Sequence, residues 1–319
     1  MSTVRRRPLG RTGRTVSELA FGTAALGDVY GKTDPAAGIR AVHAAIDAGI
    51  DWFDTAPLYG FGLAEERLGE ALQGRRNRVT LATKCCRDTF ERFDFSAARV
   101  TASLQESLRR LRTDHVDVFQ IHDVEFGDRR QVLEEAIPAA LRLKQQGLVR
   151  HVGITGLPVR YLRALVEASD VDLVLSWAHY NLLEDELATE LAPLCAARGI
   201  GLLNASPLLQ GLLTENPPPA WHRSPPEVLA AAPQLAAVCR AEGLDLAQVA
   251  LRFAIGHPHV ASTVVSIADE AQLRSNLAAL QLQLPHGLLA RLATIAAPVK
   301  NRMWFEGRPE NNLPPRHRS

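Results

Sequence analysis

The chain has 319 residues, 46% of them hydrophobic and 22% charged, an ordinary globular composition. Thirty-six Lys and Arg against 35 Asp and Glu leave a formal net charge of +1, which argues against nucleic-acid binding, since that needs clustered positive charge. No run approaches 18 consecutive apolar residues, the basic start has no apolar stretch after it, and the four cysteines lack CxxC spacing, so a cytoplasmic enzyme without membrane or disulfides is expected.

The opening, RPLGRTGRTVSELAFG, reads as a hairpin suited to cross the bottom of a barrel. Short apolar runs then alternate with amphipathic stretches. The pattern predicts strands over 17–23, 50–54, 78–84, 115–122, 150–155, 171–177, 199–206 and 261–267. Helices are predicted over 35–48, 64–73, 96–111, 130–146, 159–168, 185–198, 228–242 and 246–256. In the third of these, Val100, Leu104, Leu108 and Leu111 share one face and Ser96 stands ready to cap. VDVFQI and VDLVLS are continuously apolar, as strands covered on both faces are. Eight repeats of strand and helix predict a (β/α)8 barrel, α/β in class, as a single domain over 1–319. The Pro-rich stretch ENPPPAWHRSPPE (215–227) lies between the seventh strand and its helix, so it reads as a loop insertion rather than a linker. The last twenty residues are polar and Pro-rich and read as an irregular tail.

Barrels of this kind carry their chemistry at the C-terminal ends of the strands. The second strand ends in Asp54, with Tyr59 five residues on. The third ends in Lys84, and the fourth in His122 followed by Asp123. A phenol with a pKa near 10 is a poor acid or base at neutral pH, but a neighbouring ammonium stabilises its phenolate. A carboxylate can hold that ammonium, and an imidazole can orient a hydroxyl or carbonyl oxygen. Such a set moves a proton on and off an oxygen, as carbonyl–alcohol interconversion requires, and a hydride must then come from a cofactor. Taken singly, each residue also has a plain structural reading as a turn cap, a solvated charge or a packing group.

DTAPLYG, LATK, the strand ending in IH, VGIT and SPLLQGLL together resemble the aldo-keto reductases, in order from the LGRTG opening to the QLRSNLAAL helix. That resemblance implies a catalytic tetrad of Asp54, Tyr59, Lys84 and His122. FDFSAARV, HDVEFGD, GITGLPV, ASPLLQGLLTENPPPAWH and APVKN look like the L-galactose dehydrogenase branch, which includes aldose 1-dehydrogenases and pyridoxal 4-dehydrogenase. The implied reaction is NAD-dependent oxidation of the C1 hydroxyl of an aldose such as L-galactose or L-fucose to the lactone. Tyr59 would take the proton, helped by Lys84 and His122, and Asp54 would hold Lys84.

The same resemblance implies cofactor contacts. Thr155 and Gly156 match a serine–asparagine pair at the nicotinamide carboxamide, so only a hydroxyl remains, and Ala205 replaces a stacking tyrosine. Ser206, Leu208 and Gln210 are the implied contacts of a pyrophosphate loop, while Ser266 at the end of the eighth strand and Ala268, Asp269, Gln272 and Asn276 after it lie around the adenosine end. An acidic Asp269 repels the 2′-phosphate of NADP, which favours NAD. Asp269 would equally cap a helix, and Arg274 stands close enough to bind a phosphate. Trp177, His179, Trp304 and Phe305 are candidate walls of a sugar pocket, with Trp177 equally suited to core packing. Asp123 and Glu125 are candidates for sugar hydroxyls or solvated loop charges. Cys85 reads as a buried thiol.

No metal is expected, since no HExxH motif or clustered His/Asp set falls at the strand ends. The expected partner is a small sugar, with no nucleic acid or membrane, in a monomer or weak homo-oligomer. Other readings are an NADP-dependent aldehyde or ketone reductase, a pyridoxal 4-dehydrogenase, and a non-enzymatic sensor on the same barrel.

Overall fold

In the computed structural model, which describes residues 4–313, β1 (Arg6–Pro8) pairs antiparallel with β2 (Thr15–Ser17). Eight parallel strands follow: β3 (Leu19–Gly22), β4 (Trp52–Asp54), β5 (Thr80–Cys85), β6 (Val116–Ile121), β7 (Val149–Gly156), β8 (Leu173–Trp177), β9 (Gly201–Ala205) and β10 (Ser262–Ser266). They pair in that order, and β10 returns to β3, closing the barrel. The continuous apolar runs are explained by two-sided burial. Ala20, Trp52, Ala82, Val118, Leu173, Leu203 and Val264 fill the barrel, while Phe21, Phe53, Leu81, Phe119, Val152, Val174 and Val265 face the helices.

The hairpin plugs the bottom as its sequence predicts. Leu9 and Val16, both fully buried, pack into the barrel interior. The plug sits so close to β9 that a Cβ on Gly10, which has φ +51°, would stand 2.4 Å from the Gly201 amide nitrogen. Arg7 ties the hairpin to the other end of the chain by donating to the carbonyls of Ile255 (2.8 Å), His257 (2.8 Å) and Val260 (2.9 Å). Ser17 belongs to β2, so the first barrel strand is shorter than the predicted 17–23.

The helix layer differs more. Pro226–Ala241, one of the eight predicted helices, packs with Leu288–Ala296, through Val228, Leu235 and Cys239 against Leu288, Leu292 and Ala296, as a separate pair. The helix that follows β10 is Glu270–Gln281. The predicted helices over 130–146 and 185–198 each contain a wide π turn near the start, Val132–Ala136 after the α turn Arg129–Gln131, and Leu187–Leu191. Pro138 and Pro193 lie just after these turns, and a proline has no N–H to complete the i→i−4 ladder.

From Lys300 to Leu313 the chain is irregular except for a 3-10 turn at Pro309–Asn311. It ties down on the loop after β6, where Asn311 donates to the carbonyls of Glu125 (2.8 Å) and Gly127 (2.9 Å). Residues 314–319 of the expected tail lie outside the described residues. Among the described residues no helix is long and apolar enough to cross a membrane.

Candidate active site

The parallel register brings the ends of β4, β5 and β6 together, with Asp54 opposite Ala82 and Lys84 opposite Gln120. Lys84 Nζ donates to Asp54 Oδ1, to the Thr55 carbonyl at 2.8 Å and to Tyr59 Oη at 3.4 Å. Gln120 Nε2 donates to the other carboxylate oxygen of Asp54 at 3.2 Å. The Tyr59 ring stands edge-on to His122, 6.1 Å between centroids. Its loop is set by a close approach: a Cβ on Gly60, at φ +63°, would lie 2.4 Å from the Gly27 carbonyl oxygen. The four predicted tetrad residues therefore form one cluster.

Burial dominates the electrostatics. It pushes the Tyr59 phenol up, against the pull of the Lys84 cation, and the net direction is upward. Burial pulls Lys84 down, but the Asp54 carboxylate and Tyr59 outweigh it, so the ammonium stays charged. Burial presses His122 down to about 3 despite the nearby Asp123 carboxylate, so the imidazole is neutral at pH 7. A neutral imidazole, a phenol and a fixed cation around one position can hold an oxygen and exchange its proton.

A model of the aldo/keto reductase family matches residues 18–297. The chain belongs to that family. It is 39% identical to an L-galactose dehydrogenase of Arabidopsis thaliana, over 98% of this chain and 100% of the relative. It is 32% identical to a D-threo-aldose 1-dehydrogenase of a Pseudomonas species, over 88% of this chain and 94% of the relative. Among solved structures, an aldo-keto reductase from Bacillus halodurans in its holo form superposes with a TM-score of 0.79 at 26% identity, covering 97% of this chain and 100% of that one. The protein is thus an NAD(P)-dependent oxidoreductase, and its barrel is that of the aldo/keto reductases.

The reductase has a backbone cradle suited to a dinucleotide. After β9, Ser206, Leu209, Gln210 and Gly211 all have positive φ (55°, 47°, 53° and 93°). The amides of Leu209, Gly211, Leu212 and Leu213 bond to carbonyls within the loop, and among the described residues those of Leu208 and Gln210 find no protein acceptor. Free amides on a left-handed turn are the donors that an anionic pyrophosphate takes. Thr155, at the mouth of β7, is buried and accepts from the Asp123 amide at 3.1 Å, which leaves its hydroxyl proton available.

The expected contacts around β10 are mostly engaged with one another. Ser266 Oγ accepts from the Ala25 amide at 2.9 Å. Asp269 caps the helix Glu270–Gln281 by accepting from Gln272 N at 2.8 Å, and Gln272 Oε1 accepts from Ala268 N at 2.8 Å. Asn276 is half-buried on that helix and Arg274 is exposed. Asp269 therefore caps, whatever else it does.

Of the expected substrate residues, Trp177 ends β8 and meets Trp304 at 6.0 Å, bringing the tail across the mouth. Trp304 Nε1 donates to Glu306 at 2.9 Å. His179 is buried with its Nδ1 3.4 Å from Glu186, and Phe305 is 80% exposed. Asp123 and Glu125 are both buried rather than solvated. Asp123 pairs with Arg87, and Glu125 accepts from Leu157 N at 3.0 Å, its carboxyl pushed well above the usual range by burial. Cys85 is a buried thiol, its Sγ 3.6 Å from the Gln120 carbonyl.

Sequence reasoning missed Arg87 and Gln120. The signal for Arg87 was in the register. Lys84 stands opposite Gln120 and Cys85 opposite Ile121, so two residues further on Arg87 falls opposite Asp123.

Proposed function

We propose that this reductase oxidises the C1 hydroxyl of an aldose, L-galactose or a similar sugar such as L-fucose, to the aldonolactone, with NAD as hydride acceptor. The observation that carries the reading is Lys84, held by Asp54 within 3.4 Å of the Tyr59 hydroxyl beside a neutral His122. The bound nicotinamide supplies the hydride acceptor. Tyr59 takes the C1 hydroxyl proton, and the adjacent ammonium stabilises the phenolate that must exist for that step. His122 orients the hydroxyl oxygen, and Asp54 keeps Lys84 charged and aimed.

Thr155 holds the carboxamide, the loop of Ser206, Leu208 and Gln210 takes the pyrophosphate, and the Ser266 to Asn276 segment takes the adenosine end. Asp269 at the helix N-terminus disfavours a 2′-phosphate, which supports NAD over NADP. Asp123, Trp177 and Trp304 line the sugar pocket. The likeness to an L-galactose dehydrogenase and a D-threo-aldose 1-dehydrogenase supports the substrate class. We further read residues 1–319 as one domain, cytoplasmic, and a monomer or weak homo-oligomer.

The test is the initial rate of reduced-cofactor formation with L-galactose, comparing NAD with NADP. Turnover with NAD is expected, and Tyr59→Phe should lower it by about 10²- to 10⁴-fold. Turnover with NADP alone overturns the cofactor reading. No turnover with either overturns L-galactose as substrate and turns the search to L-fucose, pyridoxal or a simple aldehyde.

A further inference from the structure

Asp123 and Arg87 stand at adjacent strand tips, and both tips are held in unusual backbone geometry. Asp123 has φ +46°, and Cys86, just before Arg87, has φ +74°. Left-handed geometry at residues other than glycine persists where the surroundings enforce it. Arg87 donates from Nη1 to Asp123 Oδ2, and its guanidinium carbon lies 5.1 Å from the Phe93 ring and 4.9 Å from the Phe126 ring. Those rings stack at 4.2 Å and 8°, a rigid wall beside the cation. His122 Nε2 is 3.6 Å from the same carboxylate oxygen. Among the described residues Asp123 Oδ1 has no protein donor.

We propose that Arg87 is a positioning residue of this site: it fixes Asp123 so that Oδ1 accepts a hydroxyl of a polyol substrate and Oδ2 orients the His122 ring. The substrate half of this inference rests on the reading of the enzyme as a sugar dehydrogenase. A carboxylate oxygen accepts and never donates, so the group it recognises is a hydroxyl donor, which a sugar carries and a simple aldehyde lacks. The same oxygen beside Nε2 favours the tautomer protonated there.

Arg87 also adds to the burial that keeps His122 neutral. Facing the imidazole are Asp123, which favours its protonation, Lys84 from β5 and Arg87, which both oppose it, and the neutral Tyr59 phenol. Facing the Asp123 carboxylate are His122, Arg87 and Lys84. Removing Arg87 leaves the carboxylate and imidazole to share a proton more readily.

The experiment compares wild type, Arg87→Met and Arg87→Lys by kinetics with L-galactose and by NMR titration of the His122 ring without substrate. Losing a hydrogen bond to a charged group weakens binding by about tenfold or more, so Arg87→Met should raise KM by that factor, and kcat should fall as well because His122 loses its orientation. The titration midpoint should rise in Arg87→Met, by up to about one pH unit, and Arg87→Lys should restore most of both effects. Wild-type KM and an unshifted titration in Arg87→Met overturn the proposal. So does equal impairment of both variants with the titration unmoved, the mark of a merely structural role. A wild type silent on sugars overturns the sugar reading and the substrate half with it, while the titration still decides the His122 half.

Discussion

The two ends of the barrel differ in how many strained and unpartnered groups they hold. At the bottom, each carboxylate beside a strand start is answered more than once. Asp117 accepts from Arg76 at 2.9 Å and from the Leu81 amide at 3.0 Å, with Arg14 and Arg150 at 3.6 and 3.5 Å. Asp172 takes Lys144 at 2.6 Å and the Val152 amide at 2.9 Å, and Glu18 takes Arg5 and Arg7, each at 3.1 Å. At the mouth, polar atoms are buried without hydrogen-bond partners among the described residues: His122 Nδ1, Glu125 Oε2, Ser176 Oγ, Asn204 Oδ1 and both carboxyl oxygens of Glu184. Left-handed residues gather there too, with Cys86, Asp123, Ala178 and Ser206 each just past a strand. The bottom pairs its carboxylates for stability, although His151 Nδ1 and Ser262 Oγ there lack hydrogen-bond partners too, while the mouth adds left-handed strain to its unmet hydrogen bonds, which is where function collects.

Three substitutions sharpen that contrast. Lys84→Met should have the largest effect, because it removes the cation beside Tyr59 and strands Asp54 as a buried charge. Denaturant unfolding should show a loss of about 3–5 kcal/mol, and sugar oxidation should vanish. Asp117→Asn tests the other end. Its arginines are partly exposed, so screening limits the loss to about 2 kcal/mol, with kcat/KM within about twofold of wild type. A large fall in activity there would break the division between the ends.

The third effect is a slope with pH, small over any single pH unit. Burial holds the Glu184 carboxyl up to about 9, while the unfolded chain releases that proton near 4.5. The folded form therefore binds more protons between those values. Stability from this group is full below about 4.5 and is lost as pH rises toward 9, by up to about 1.4 kcal/mol per pH unit. Glu184→Gln should flatten that slope in unfolding curves taken from pH 5 to 8.

The barrel and the tetrad were legible in the sequence because both depend on local order. Continuous apolar runs mark strands buried on two faces, and the residue ending each run lands at the mouth. The pairing of Pro226–Ala241 with Leu288–Ala296 was not legible, since an amphipathic helix shows its apolar face without showing which neighbour covers it. Nor was the burial of Glu125 and Glu184, which depends on the tail and loops folding over them. The role of Asp269 stayed double for another reason: capping and repelling a phosphate ask the same side chain for the same place.

The bonds of Arg7 to carbonyls 248 to 253 positions away give the fold a timetable. A ribosome adding about 5–20 residues per second needs on the order of ten to fifty seconds to deliver those acceptors. Until then β3 has no β10 to pair with, and an open parallel edge waits in the cell. The first strands made are among the last to be enclosed, so the half-made chain is the form most in need of protection from its neighbours.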